Sequence, residues 1–153
     1  MRTPGDTPAT TPARGRPTGD ADVQATLDGL AQALTSGDGA AAGGAWQAPA
    51  LVLGDAHELA VSKPQEFEQF FGGARAQYNE RGVTDTRADV QRLEWLTGRI
   101  ALATVRWPHL DAQGREVGSE TSTYVLRRDD DGALKLRVAI MHGEEAGAPS
   151  AVS

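Results

Sequence analysis

The sequence predicts an α+β fold in which helices cover one face of a mostly antiparallel sheet. One reason is that the C-terminal half contains four consecutive runs rich in β-branched and aromatic residues. Another is that short glycine-containing turns separate these runs, and connections this short allow only antiparallel pairing. In addition, the N-terminal half carries apolar residues at helical spacing. The predicted strands are residues 86–96, 99–110, 116–128 and 133–141.

Composition limits the chemistry that the chain can perform. Its 153 residues suffice for one domain with a single core. The absence of cysteine excludes disulfides, a thiolate nucleophile and cysteine-ligated metals. A net charge of −6 argues against nucleic acid and anionic membranes as partners, since both require basic patches. The sequence has no phosphate-binding loop, nucleotide fingerprint, metal-ligand pattern or serine nucleophile motif, so we expect neither a cofactor nor a metal.

The two ends of the chain are predicted to lie outside the domain. Residues 1–19 alternate proline, threonine, glycine and arginine, and such a segment cannot offset its ordering entropy by burial. We therefore expect a disordered arm over residues 1–19, a domain over residues 20–143 and a disordered tail over residues 144–153. Since no apolar run approaches the ~20 residues that span a bilayer, and no secretory segment is present, a cytoplasmic location is expected.

Two helices are predicted before the first strand. The first begins near Asp20 or Asp22, whose carboxylates can cap free N–H groups, and ends where Gly37 can adopt a left-handed conformation. A weaker second helix begins at Asp38 and stops before a proline, with Trp46 as its packing anchor. The first helix should turn one apolar stripe toward the sheet, formed by Val23, Leu27, Leu30, Ala31 and Leu34.

A short hairpin is predicted next, with strands at residues 50–53 and 58–61 on either side of a Gly-Asp turn. The helix that follows has the clearest start signal in the chain. Ser62 and Gln65 have the spacing of a capping box, and Pro64 occupies the first turn, where its missing N–H costs nothing.

This third helix is predicted to run to Arg81 and to end at Gly82. Gly72 and Gly73 lie in its middle, where each costs about 1 kcal/mol relative to alanine, so a strand or a ligand should approach the backbone closely there. One helical face concentrates aromatic residues at spacings of three and four, namely Phe67, Phe70, Phe71 and Tyr78.

The order of these elements resembles the NTF2-like superfamily, in particular its SnoaL-like and ketosteroid-isomerase-like members. The resemblance covers residues 22–143. It is carried by Ser36-Gly37-Asp38, by Trp46 and Pro49, by the aromatic segment 67–71, and by residues 124–128 followed by Asp131-Gly132. It implies a cone-shaped fold, in which a curved, mostly antiparallel sheet wraps around a long helix and two N-terminal helices and encloses a pocket. Members include isomerases, cyclases, hydrolases and proteins without chemistry, so the fold does not fix the function.

The resemblance also implies where catalytic residues would lie. Isomerase-like members place a tyrosine on the first helix and a carboxylate near the first strand. The first helix here has no tyrosine, and Asp55, the candidate carboxylate, lies in a turn where solvation is expected. Hydrolase-like members use an Asp–Arg–Asp network. Asp89, Arg106 and Glu120 could form one only if their strands present them to the same face, which the sequence leaves open.

The three histidines are the remaining catalytic candidates, together with Asp55. His57 lies in the hairpin loop and His109 at a strand end, and both positions favour the surface. His142 is the best candidate for a polar group that addresses a ligand, because it would lie at the rim of the cone if its strand alternates regularly. The apolar residues at the same parity are Leu134, Leu136, Val138 and Ile140.

These patterns favour a protein that binds a small, largely apolar molecule, with or without acid/base chemistry of the isomerase, cyclase or hydrolase type. The alternative is a non-catalytic homodimeric interaction module. The aromatic rings could line a pocket or could simply fill the cone. The candidate ligand-binding residues are Trp46, Phe67, Phe71, Tyr78, Tyr124 and His142.

A homodimer is expected through the outer face of the sheet. In residues 99–110 both strand faces are apolar, and the helices can cover only the concave one. Ile100 and Leu102 point one way, and Ala101, Ala103, Val105 and Trp107 point the other. A second copy of the sheet would cover the remaining face.

Overall fold

The computed structural model describes residues 16–56, 58–71 and 73–146, and these form helices packed on one curved sheet. The predicted α+β architecture is thereby confirmed. The helices are α1 (Arg16–Ser36), α2 (Gly39–Gly44), α3 (Pro64–Phe71) and α4 (Ala74–Glu80). The strands are β1 (Trp46–Leu53), β2 (Glu58–Val61), β3 (Asp85–Thr86), β4 (Asp89–Trp95), β5 (Ile100–Leu110), β6 (Glu116–Arg128) and β7 (Leu134–Ala146).

The described strands lie in the order β2-β1-β7-β6-β5-β3, and β4 also pairs with β5. All pairs are antiparallel except that of β1 with β7, which is parallel. The predicted meander is present, but its first strand is split into β3 and β4, and both pair with β5. The hairpin of β1 and β2 is also present, and β1 begins at Trp46 rather than at residue 50.

Helix α1 lies across the sheet through the predicted apolar stripe, in which Val23 and Leu27 are completely buried. Two polar contacts attach its N-terminal part to the strands. Trp95 Nε1 donates a hydrogen bond to Asp20 Oδ1 at 2.9 Å, and Arg128 forms an ion pair with Asp22 at 2.9 Å. These carboxylates therefore bind the sheet instead of serving as the helix cap that the sequence predicted.

The outer limits of the folded part differ from the expected domain boundaries. Helix α1 begins at Arg16, inside the segment expected to be an arm, and β7 extends to Ala146, inside the expected tail. The remainder of both segments, residues 1–15 and 147–153, lies outside the described residues.

The long third helix of the prediction is two short helices, α3 and α4. The glycine pair is where they separate, which is consistent with the low helix propensity of glycine. A Cβ atom added at Gly73 would meet only the Gln77 side chain, at 3.8 Å, so the close approach predicted there is wrong for Gly73, and Gly72 is outside the described residues. The cap also differs: the Glu66 carboxylate, not Gln65, accepts a hydrogen bond from the backbone N–H of Ser62 at 2.9 Å.

Strand β7 changes the face that it presents to the core. Its register against β6 shifts twice, first between the partners of Val125 and Leu126 and again between those of Thr121 and Ser122. Each shift inserts one extra residue, Arg137 in the first case and His142 in the second. The buried positions are consequently Leu134 and Leu136 before the first bulge, and Ala139 after it.

Candidate functional site

A cavity of about 550 Å³ lies between the helices and the concave face of the sheet. This volume falls within the range of pockets that hold small molecules. Helices α1, α3 and α4 form one wall and strands β1, β5, β6 and β7 the other. The lining residues are Leu30, Leu34, Trp46, Val52, Gln69, Phe71, Gln77, Tyr78, Arg81, Trp107, Glu120, Ser122, Tyr124, Ala139 and Met141.

Aromatic rings form a continuous wall around Trp46, at the start of β1. Its ring centroid lies 5.5 Å from that of Phe67, 6.0 Å from Phe71 and 6.4 Å from Tyr124. The ring of Tyr124 packs edge-on against Trp107 at 6.1 Å. Such offset and edge-to-face contacts stabilise an aromatic cluster and give a ligand a flat apolar surface. The indole N–H of Trp46 is buried and has no hydrogen-bond partner among the described residues.

Tyr124 contributes a hydroxyl group to this otherwise apolar wall. Its oxygen accepts a hydrogen bond from Trp107 Nε1 at 3.1 Å. Burial raises the pKa of the Tyr124 phenol far above its ordinary value, and hydrogen bonds with Ser122 and Trp107 offset only part of that rise. The phenol is therefore neutral at physiological pH, and its proton can be donated to an acceptor.

Two ionisable side chains meet at the polar end of the cavity. Nε2 of His109, on β5, lies 3.2 Å from Oε1 of Glu120, on β6. The side chain of His109 is only 3% exposed, whereas that of Glu120 is 23% exposed and lines the cavity. The Glu120 carboxylate therefore faces the cavity with an imidazole beside it. Tyr78 also lies at this end, with its ring centroid 5.7 Å from that of His109.

Four of the predicted ligand-binding residues line the cavity, namely Trp46, Phe71, Tyr78 and Tyr124. Phe67 is buried behind Trp46 and lines a smaller, separate pocket of about 230 Å³. The rings thus leave a cavity between them, although they also fill much of the core.

Two of the catalytic candidates taken from the sequence, His142 and Asp55, do not line the cavity. The expectation that His142 shares the apolar face of its strand is wrong, because the two bulges of β7 turn it to the convex face. There it is exposed, and its Nε2 lies 2.7 Å from Thr123 Oγ1. Asp55 is exposed in the turn between β1 and β2, as expected for a solvated carboxylate. His57 lies outside the described residues.

Sequence reasoning missed His109 and left the role of Glu120 open. His109 was expected at the surface, yet it is buried because β3 pairs beside it and its ring packs on Tyr78. The available signal was that His109 lies two residues after Trp107 on β5, so that both side chains point to the same face of the sheet. Arg106 and Glu120 of the possible Asp89, Arg106 and Glu120 network lie on opposite faces of the sheet: Arg106 pairs with Glu116, whereas Glu120 is the strand partner of Trp107 and lines the cavity with it.

Within the part of the chain that the structure describes, no group of three or more histidine, aspartate or glutamate side chains is arranged to hold a metal ion. Over the same ranges, no helix is long and apolar enough to cross a membrane.

Comparisons with known proteins identify relatives of this fold. Residues 20–144 match the family model described as NTF2-like protein (DUF6841). A search of curated proteins found no match. Similar solved structures include an NTF-2 like protein of unknown function from Shewanella oneidensis MR-1, with 12% identity, 81% of this chain and 98% of that chain covered, and a TM-score of 0.63.

Two other solved structures are similar at the same level. A ketosteroid isomerase-like protein from Erwinia carotovora atroseptica SCRI1043 has 13% identity over 84% of this chain and 96% of its own, with a TM-score of 0.61. Aln2 from a Streptomyces species has 15% identity over 82% of this chain and 90% of its own, with a TM-score of 0.63. At these identities the structures establish the fold alone, whereas the family match spans most of the sequence. The chain therefore belongs to the NTF2-like family DUF6841.

Proposed function

We propose that this protein binds a small, largely apolar molecule in the cavity and performs acid/base chemistry on it through Glu120 and His109. The observation that carries the proposal is the combination of an aromatic wall with one carboxylate–imidazole pair at its polar end. Pockets for small molecules are lined in this way, with few polar groups that fix orientation. A core that only needed filling would not place a carboxylate next to a buried histidine.

Glu120 is the group that can exchange a proton with a ligand. Its carboxylate lines the cavity, and the imidazole of His109, at 3.2 Å, can orient it by a hydrogen bond. The neutral Tyr124 hydroxyl lies on the same strand, with its side chain on the same concave face, and can donate to a ligand oxygen. A ligand with a carbonyl group would have its oxygen polarised by Tyr124 while Glu120 removes a proton from the adjacent carbon.

Binding can be tested with a neutral fluorescent naphthalene derivative, N-phenyl-1-naphthylamine. We expect the native protein to enhance its fluorescence and Phe71→Ala to change its affinity, because Phe71 lines the cavity. His142→Ala is the matched control, since His142 lies on the convex face and its loss should leave the affinity unchanged. Absence of any probe binding to the native protein would contradict the binding proposal.

Proton transfer can be tested without knowing the product. A panel of apolar ketones is incubated with the protein in deuterium oxide, and exchange at the carbon next to the carbonyl is followed by mass spectrometry. General-base catalysis is typically worth 10²–10⁴-fold, so Glu120→Gln should slow exchange by about 100-fold or more. Glu94→Gln, which changes an exposed carboxylate on β4 that does not line the cavity, should leave it unchanged. Equal exchange by native protein and Glu120→Gln would refute the role of Glu120.

A second candidate function is a homodimeric interaction module that uses the convex face of the sheet. An apolar row crosses four adjacent strands there: Leu51 pairs with Val138, Val138 with Val125, and Val125 with Leu102. Leu51 is 42% exposed and Ile140, beside this row, is 41% exposed. Unpaired apolar surface of this kind is typical of protein interfaces.

Light scattering at micromolar concentration tests this dimer. We expect a dimeric mass for the native chain and a monomeric mass for Ile140→Glu, because a charge would be placed in the apolar contact. Leu59→Glu is the control, since Leu59 is exposed but pairs with the cavity-lining Val52 and so lies on the opposite face of the sheet. A monomeric native protein would rule out the dimer and leave the ligand proposal unaffected.

A further inference from the structure

We infer that the ligand of the cavity is an apolar acid, whose anionic group binds Arg81 while its apolar body lies against the aromatic wall. The inference rests on the proposed binding function and adds the chemical class of the ligand. Among the described lining residues, Arg81 is the basic side chain and Glu120 the acidic one, and they belong to opposite walls.

Arg81 marks the solvent end of the cavity. It lines the cavity and is nevertheless exposed, as are Gln69 and Gln77 from the same wall. Glu120 is more enclosed and has the buried His109 beside it. A ligand that enters through the opening would therefore pass Arg81 first and would leave its outermost group next to the guanidinium.

The position of Arg81 is fixed by the way helix α4 ends. The backbone N–H of Val83 donates to the carbonyl of Tyr78 at 2.8 Å, and Gly82 adopts a φ of +76°. Val83 is buried, which anchors the turn. The guanidinium carbon of Arg81 lies 5.5 Å from the centroid of the Tyr78 ring, a cation–π distance. Helix end and ring together hold the cation at the opening.

A fixed guanidinium at an apolar cavity selects for a planar anion. Guanidinium groups bind carboxylates through two parallel hydrogen bonds, and such charge-assisted bonds are stronger than neutral ones. The chain as a whole carries a charge of −6, so its general field repels anions and a local cation is needed to retain one. In a ligand with a carboxylate on an aromatic or alicyclic body, the carboxylate would bind Arg81 at the opening and the body would pack against the aromatic wall.

A matched pair of competitors tests this inference, namely 1-naphthaleneacetic acid and 1-naphthaleneacetamide. Both carry the same ring system, but only the acid is charged at neutral pH. Each is titrated against bound N-phenyl-1-naphthylamine. A charge-assisted hydrogen bond corresponds to about ten-fold in affinity or more, so the native protein should bind the acid at least about ten-fold more tightly than the amide.

Substitution of Arg81 should remove this preference. Arg81→Gln is expected to lower the affinity for the acid by about ten-fold and to leave the affinity for the amide unchanged. Arg81→Lys should keep part of the preference for the acid. Arg75→Gln is the control, because Arg75 is exposed on the same helix but does not line the cavity. Equal affinities of the native protein for acid and amide would overturn the inference. It would also be overturned if Arg81→Gln lowered the affinities for acid and amide equally, because Arg81 would then have only a structural role. If neither compound displaces the probe, or the probe does not bind, the proposed function fails as well.

Discussion

The hydrogen bond between Trp107 and Tyr124 gives the sharpest test of how the cavity wall is built. Tyr124→Phe removes one oxygen and keeps the ring, so the aromatic packing is preserved. Trp107 is 5% exposed, and its Nε1 donates to that oxygen at 3.1 Å. Without the acceptor, a buried donor is left unsatisfied, which costs about 1–3 kcal/mol. In a protein of this size each 1 kcal/mol lowers the melting temperature by about 2–4 °C.

Urea unfolding followed by circular dichroism measures the free energy of unfolding of native protein and variant. A double-mutant cycle with Trp107→Phe separates the bond from its surroundings: once the donor is gone, the additional loss from Tyr124→Phe should shrink by about 0.5 kcal/mol or more. If Tyr124→Phe unfolds at the native urea midpoint with an unchanged slope, the hydroxyl is not satisfying a buried donor and this account of the wall is wrong.

Three other perturbations follow from the structure. Because burial raises the folded-state pKa of Tyr124 above the value of 10.0 that applies when unfolded, its contribution to stability is complete below about pH 10 and is lost as the pH rises further, so the alkaline loss of stability should be smaller in Tyr124→Phe. Leu27→Ala, at a fully buried position of α1, should lower the free energy of unfolding by about 2–5 kcal/mol in urea titrations, and a loss below about 1 kcal/mol would contradict the proposed docking of α1. In α2, alanine usually gains up to about 1 kcal/mol over glycine; thermal unfolding should show this gain for Gly44→Ala, which has open space, and not for Gly43→Ala, whose Cβ would lie 3.0 Å from Phe67 Cβ.

The sequence was sufficient to predict the sheet, because its turns and periodicities are local signals. The turns at Gly114 and Gly132 adopt positive φ, and the strand between them has the predicted bounds. The helix end at Gly37 is likewise local, with a φ of +83°. Family resemblance then supplied the curvature and the cavity, since the order of the elements restricts how they can pack.

The site was harder to predict because it depends on contacts between distant segments. The face that β7 presents to the core depends on two bulges. The sequence does not reveal them, because the apolar alternation of Leu134 and Leu136 continues without a break to Ile140. The burial of His109 depends on β3 pairing beside it, and β3 has only two residues. A carboxylate such as Glu120 has the same sequence signal whether it faces water or a cavity.

The location of β7 between β1 and β6 constrains the order in which this chain can fold during synthesis. β1 emerges early, but its parallel partner is the last of the described strands to be made. Until then the hairpin of β1 and β2 and the free side of β6 both present unpaired backbone groups, which are prone to join the edges of other chains. At about 5–20 residues per second, the nascent chain keeps these edges open for several seconds. Strand β7 thus joins β1 and β6 into one sheet. Molecules in which β7 is missing or not yet paired would be the ones to associate through these strand edges.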